Sequence, residues 1–222
     1  MDSLDLARLR REYAAAGLDE RDLPVDPLDL WRTWLAEAQA CDLAEVNAMI
    51  LATVGADGAP SSRMVLCKGA DAHGFVFFTN YGSRKGRDIA ADPQVSLLFP
   101  WHALGRQVRV DGHASLVDAA ESDAYFASRP RGAQLSAWAS AQSTVVPDRG
   151  SLERRVAELA TSYGDGPVPR PPHWGGYRVL PHRIEFWQGR ADRLHDRLVY
   201  QRDPEIAAKD GTGGWTVVRL AP

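Results

Sequence analysis

The spacing of apolar positions changes period near residue 48. Before it, Leu4, Leu6, Leu9 and Tyr13 make a helical stripe broken at Gly17, and Leu28, Trp31, Trp34 and Leu35 repeat at helical spacing. Pro27 suits the first turn of that second helix, where a missing N–H costs nothing. The segment Asp22-Leu23-Pro24-Val25-Asp26-Pro27 reads as a turn or linker. From Ala48 onward the pattern is that of strands: Ala48 to Val54, a Gly55-Ala56-Asp57-Gly58 turn, then Ser62 to Lys68, Gly74 to Thr79, Val95 to Phe99 and Gln107 to Val117. Two helices interrupt them. Ser83 can cap one that ends at Asp92-Pro93, and Asp118 with Glu121 forms an aspartate variant of the capping box for another through Tyr125 that stops at Pro130. A third helix covers Leu152 to Tyr163, and the proline-rich stretch Pro167 to Pro172 leads to strands at Tyr177 to Val179, Ile184 to Trp187, Leu194 to Tyr200 and Trp215 to Leu220. Closely spaced strands without a βαβ rhythm predict an antiparallel meander or small barrel with flanking helices.

Composition narrows the class. A chain of 222 residues buries about 70% of its extended surface, enough for a true core. The pI near 6.1 argues against a nucleic-acid binder working by bulk charge. There is no run of 18 apolar residues and no signal-peptide core at the acidic N-terminus, so the chain reads as cytosolic, with no membrane partner. Cys41 and Cys67 lack metal-type spacing, and no metal site is expected. Of 26 basic residues only Lys68, Lys85 and Lys209 are lysines. An arginine-favouring chain makes each lysine a question.

Four patterns carry candidate chemistry. In Arg193-Leu194-His195-Asp196-Arg197, strand alternation puts Arg193, His195 and Arg197 on one face; that face is either exposed and paired with acids, or a site for an anionic ligand with a proton-transferring imidazole. In Thr79-Asn80-Tyr81-Gly82-Ser83-Arg84-Lys85-Gly86, a turn enters a helix whose N–H groups attract anions, and Arg84 and Lys85 sit where cations oppose the helix itself. Arg63 and Lys68 bracket Ser62-Arg63-Met64-Val65-Leu66-Cys67-Lys68 and face opposite sides of a regular strand, so one ligand meets both only at a bend or along its length. Tyr125 and Arg129 lie one helical turn apart, so both can point at one object. No Walker loop, G-x-G-x-x-G, H-E-x-x-H or G-x-S-x-G occurs; dispersed cationic sites on a β-rich scaffold fit a phosphorylated cofactor and a phosphorylated substrate.

These residues lie in blocks that resemble the pyridoxamine 5′-phosphate oxidase family. They are Leu9-Arg10-Arg11-Glu12-Tyr13, Asp22-Leu23-Pro24, Arg63 to Lys68, Gly82-Ser83-Arg84-Lys85, Val95 to Trp101 and Tyr125 to Arg131. Ala137-Trp138-Ala139-Ser140, Trp174-Gly175-Gly176-Tyr177, Ile184 to Gly189, Arg193 to Arg197 and Arg219 to Pro222 complete them. The resemblance implies a mainly β fold, an antiparallel, Greek-key-like FMN-binding split barrel. It also implies a homodimer holding FMN at its interface. Residues 1–43 would form a helical segment and substrate lid, and 44–222 the barrel with C-terminal dimerisation strands.

Carried over, FMN contacts would fall on Arg63, Met64, Val65, Leu66, Cys67, Lys68, Phe78, Thr79, Arg84, Lys85, Gln107, Gln142, Ser143, Trp187 and Arg197. Lys68, Tyr125, Arg129, Arg193 and His195 would hold the substrate, the last two as the catalytic clamp, with Arg10, Arg11 and Tyr13 folding over the occupied site. The implied reaction oxidises pyridoxamine or pyridoxine 5′-phosphate at C4′, passing hydride to N5 of FMN, which oxygen reoxidises to give hydrogen peroxide. Ala133 stands where the family commonly has a serine that binds the substrate phosphate, which predicts weaker substrate binding. The stretch Asp203 to Gly214 is longer than the usual hairpin. Two alternatives share the scaffold: a split-barrel flavin or deazaflavin-dependent reductase, and a non-catalytic binder of pyridoxal phosphate or flavin.

Overall fold

The computed structural model describes residues 17–203 and 214–222. Helix α1 (Pro27–Ala40) starts where the sequence places it, with Pro27 in the first turn and the Asp26 carboxylate accepting from the Leu28 N–H at 2.9 Å. Strands β1 (Ala48–Val54), β2 (Pro60–Leu66), β3 (Gly69–Asp71), β4 (Gly74–Asn80) and β5 (Gln94–Phe99) follow, with helix α2 (Arg84–Ala91) before β5. Then come β6 (Arg106–Leu116), helices α3 (Ala119–Ser128), α4 (Arg131–Ala139) and α5 (Arg149–Tyr163), and strands β7 (Trp174–Gln188), β8 (Asp196–Arg202) and β9 (Trp215–Arg219). The strands form one sheet in the order β2-β1-β5-β6-β7-β4-β3, with β8 between β7 and β9. The β1–β2, β3–β4, β4–β7, β7–β8 and β8–β9 pairings are all antiparallel.

The chain divides into two compact units, one comprising the described part of Met1–Val46 with Leu98–Val110 and His182–Pro222, the other Asn47–Leu97 with Asp111–Pro181. In the first, α1 buries Leu28, Trp31, Trp34 and Ala38, and its two indoles meet Phe99 and Phe186 edge-on at 5.4 and 5.3 Å. Each such aromatic pair adds about 0.5–1.5 kcal/mol beyond the area it buries. In the second, Met49, Leu51, Phe75, Phe77, Leu97 and Val179 are fully buried, and a further cluster of Phe126, Leu135, Leu159 and Trp174 packs α3 to α5 against the start of β7.

Four sequence expectations shift. Helix α4 carries no start signal in the sequence, because Pro130 precedes it without a capping side chain. The strands expected at 177–179 and 184–187 are one continuous β7; Pro181 falls between the stretch paired with β4 and the stretch paired with β8, where its missing N–H leaves neither ladder short. The capping box at α3 is half made. Asp118 Oδ1 accepts from the Glu121 N–H at 2.6 Å, whereas the Glu121 carboxylate turns to Arg178 at 3.2 Å. The strand expected from Leu194 starts at Asp196, because Ala191–Arg193 forms a 3-10 turn in which Asp192 and Arg193 adopt left-handed φ of 52° and 62°.

Candidate functional site

A cavity of about 650 Å³ opens in the second unit between the end of β2, the C-terminal half of β4, α2, α3 and α4. That volume lies in the range of cofactor and substrate clefts. Four cations line it (Arg63, Lys68, Lys85 and Arg129), and among the described residues on its wall none is acidic. Met64, Val65, Leu66, Phe78, Thr79, Tyr125, Gln142 and Trp174 complete most of the remaining lining.

The cations reach one space because the chain bends. Strand β2 ends at Leu66; the Cys67 N–H then donates to Asn47 O at 2.8 Å and the Lys68 N–H to Val76 O at 2.7 Å, so the backbone passes from one partner strand to another. Lys68 therefore leaves the alternation that would set it opposite Arg63. Arg63 is anchored from behind, donating to Thr53 Oγ1 at 2.7 Å and Ser61 Oγ at 2.6 Å, with the buried Asp88 carboxylate 3.7 Å away. Lys85 projects from the first turn of α2, which Ser83 caps. Its Nζ donates to Gln142 Oε1 at 3.0 Å and Thr79 Oγ1 at 3.2 Å, neutral acceptors that orient the ammonium without cancelling its charge. Burial, reinforced by the nearby Arg63 charge, holds Lys85 below the usual lysine range. Burial likewise lowers Arg63 and Arg129.

Arg129 carries hydrogen-bonding capacity that the described wall does not meet. Its guanidinium lies 4.6 Å from the Trp174 ring centroid, and a buried nitrogen, Nη1, has no hydrogen-bond partner among the described residues. Beside it, Phe78 stacks on Tyr125 at 3.9 Å and on Trp174 at 5.6 Å, a nearly parallel aromatic slab. A desolvated cation kept short of a partner costs about 1–3 kcal/mol unless an anion completes it. The cavity is built for anions.

Several expected residues are not on this wall. Cys67 points away from it, donating to Gly69 O at 3.3 Å, and burial pushes its thiol up to about 11. Arg84 lines a separate depression with Gly55, Asp57 and Arg87, and Ser143 sits in an exposed turn with φ of 70° outside the lining. Arg10, Arg11 and Tyr13 lie outside the described residues. Gln107, Trp187, Arg193, His195 and Arg197 belong to the first unit.

There, the shared strand face expected for Arg193, His195 and Arg197 is not formed, since the first two precede β8. His195 instead accepts the Arg190 N–H on Nδ1 at 3.0 Å, which places the proton of the neutral ring on Nε2, and it packs on Trp187 at 4.6 Å. Arg197 donates through Nε to the buried Glu185 carboxylate at 2.8 Å. Trp174 and Ser136 are lining residues that no local signal marks; Trp174 stands out only as part of the Trp174-Gly175-Gly176-Tyr177 block.

Residues 35–163 match the family described as pyridoxamine 5′-phosphate oxidase, and residues 174–222 match the pyridoxine 5′-phosphate oxidase C-terminal dimerisation region. A pyridoxine/pyridoxamine 5′-phosphate oxidase of Burkholderia multivorans is 58% identical over 98% of this chain and 99% of its own. The chain belongs to the pyridoxine/pyridoxamine 5′-phosphate oxidase family. Among solved structures, PhzG from Burkholderia lata, in complex with tetrahydrophenazine-1-carboxylic acid, is 33% identical, with a TM-score of 0.85 over 96% of this chain and 100% of its own. A pyridoxamine 5′-phosphate oxidase-related, FMN-binding protein of Nostoc punctiforme, 18% identical, has a TM-score of 0.67 over 90% of this chain and 100% of its own, and shows the fold alone. The fold is thus the split barrel of this oxidase family, which implies a flavin cofactor and an oxidoreductase activity. The matched dimerisation region points to a homodimer. Among the described residues no helix is long and apolar enough to cross a membrane.

Proposed function

We propose that the chain is an FMN-dependent oxidase that converts pyridoxamine 5′-phosphate and pyridoxine 5′-phosphate to pyridoxal 5′-phosphate. The observation that carries this reading is the cavity with four cations and no acid on its described wall, one of those cations underpartnered. FMN and the substrate each bring a phosphate, and the cations divide accordingly. Arg63 and Lys85, with Thr79 and Gln142, would hold the flavin phosphate; Lys68, Tyr125 and Arg129 would hold that of the substrate. The aromatic slab of Phe78, Tyr125 and Trp174 fixes the direction of Arg129. When bound, the flavin supplies the hydride acceptor at N5 and passes the electrons to oxygen, releasing hydrogen peroxide.

The protein's part is orientation and charge. Arg193 and His195 would clamp the substrate ring, and His195, its Nδ1 taken by the Arg190 N–H, would turn Nε2 to the oxygen or nitrogen it meets. The homodimer, with flavin at its interface, is the proposed working assembly. Aerobic turnover of pyridoxamine 5′-phosphate by the FMN-loaded protein tests the assignment: pyridoxal 5′-phosphate and peroxide are expected in equal amounts, and no aldehyde at saturating substrate would refute it.

A second substrate is brought in by the PhzG relative and its tricyclic carboxylate. The same assay with tetrahydrophenazine-1-carboxylic acid separates the two, and turnover of that compound alone would move the assignment to it. Ala133 is half-buried and off the cavity wall, whereas Ser136, one turn on, lines it. Restoring a hydroxyl with Ala133→Ser is expected to lower the KM for pyridoxamine 5′-phosphate about 2- to 13-fold, the equivalent of a hydrogen bond of about 0.5–1.5 kcal/mol. An unchanged KM would show that position 133 does not reach the phosphate.

A further inference from the structure

The His195 turn is braced by a charged cluster that neither the cavity nor the proposed chemistry uses. The Asp196 carboxylate accepts from the Leu18 N–H on Oδ2 at 3.0 Å and from Arg219 Nη1 on Oδ1 at 2.6 Å, and Arg190 Nη1 lies 3.6 Å from Oδ2. Arg219 in turn grips Glu20 with a two-pronged contact at 2.7 and 2.8 Å and donates to Leu18 O at 2.8 Å. The pair holds the Glu20 carboxyl near 2, well below the usual range, so it stays ionised at working pH. Gly17 passes close beside the cluster: a Cβ there would lie 1.8 Å from Arg190 Nη1 and 3.1 Å from Asp196 Oδ2, so a larger residue would displace the Arg190 side chain from its place beside Asp196.

The two residues flanking the bend are both held. Arg190 gives its N–H to His195 Nδ1 and its side chain to the same Asp196 that follows His195 in the chain. Between them the chain passes through two consecutive left-handed non-glycine residues, Asp192 and Arg193, with the Leu194 N–H donating to Ala191 O at 3.1 Å. Such a bend keeps one shape when its ends are over-determined. Leu198, across from Arg219 in the β8–β9 ladder, ties the same brace to the sheet.

We propose that Asp196, oriented by Arg219 and by the backbone of Leu18, is a positioning residue for His195 and Arg193 in substrate oxidation. It touches neither substrate nor flavin; it fixes the bend from which the two clamp residues project. The inference rests on the reading that His195 and Arg193 act on the substrate.

A double-mutant cycle on the FMN-loaded protein tests it. Asp196→Ala is expected to lower kcat/KM for pyridoxamine 5′-phosphate about 10-fold, within the coupling range of contacting residues, with FMN affinity unchanged. In a His195→Ala background the same change is expected to cost less than about 2-fold. An equal loss in both backgrounds, or no loss beside His195, would overturn the proposal. Should Asp196→Ala fail to fold, Arg219→Gln takes its place in the cycle, with the same criteria. If the parent protein does not turn over pyridoxamine 5′-phosphate, the functional reading fails, and amide exchange across residues 190–196 decides the brace. Faster exchange in Asp196→Ala supports it, and unchanged exchange overturns it.

Discussion

Replacing Arg129 with leucine is expected to reduce kcat/KM for pyridoxamine 5′-phosphate about 10- to 150-fold. The range is that of one charge-assisted hydrogen bond, about 1.5–3 kcal/mol. Most of the loss should fall on KM, because the phosphate is remote from the reacting carbon and its contacts serve ground and transition states alike. Thermal stability should hold or rise. Arg129 is a half-buried cation whose buried Nη1 has no partner among the described residues, so the protein without ligand loses little when it goes. Lysine should not rescue the variant, since an ammonium cannot reproduce a planar group stacked 4.6 Å from the Trp174 centroid. The check is steady-state kinetics with pyridoxamine 5′-phosphate and with unphosphorylated pyridoxamine. The parent and the variant should differ on the first and converge on the second. Equal KM values for the phosphorylated substrate would remove Arg129 from the site.

The other large effect comes from one methyl group. A Cβ on Gly86 would lie 2.1 Å from the carbonyl oxygen of Tyr81 and 2.6 and 2.8 Å from its carbonyl carbon and Cα, all backbone atoms that cannot swing aside. Gly86→Ala must therefore pry the first turn of α2 from the turn that follows β4. Overpacking of this kind costs about 3 kcal/mol. For a chain of this length each kcal/mol lowers Tm by about 2–4 °C, so a fall of about 6–12 °C is expected in a melting curve. The damage is also directional. Ser83, the cap of α2, and Lys85 sit on the displaced turn, and Lys85 would leave Thr79 and Gln142. Weakened FMN retention, measured by titration below the new Tm, should accompany the fall. A variant with the parent Tm and FMN affinity would show that the contact relaxes without cost.

How much of this was legible in the chain depends on the range of the interactions. Local signals read correctly: Pro27 at the start of α1, Ser83 before α2 and Asp118 before α3 each act within one turn, and each element begins where they say. The joining of Tyr125 and Arg129 on the cavity wall also follows from helical spacing. What the spacing could not give was set by strand partners far along the chain. The approach of Lys68 to the side of Arg63 depends on Asn47 and Val76 capturing successive N–H groups. The left-handed turn at Asp192 and Arg193 breaks the alternation assumed for Arg193, His195 and Arg197, and its brace comes from Leu18, Glu20 and Arg219. The role of Trp174 is likewise non-local, since Arg129 and Phe78 reach it from α3 and β4.

The cysteine beside the cavity bears on endurance. Thiols are oxidised by peroxide as thiolates, and burial pushes this one up to about 11, which keeps it protonated at neutral pH. Leu66 and Lys68 face the cavity while Cys67 between them turns inward, 6% exposed. On the proposed chemistry every turnover releases an oxidant within a few residues of this sulfur. Burial keeps the sulfur in its unreactive form, so a wall of the site is shielded from the enzyme's own by-product.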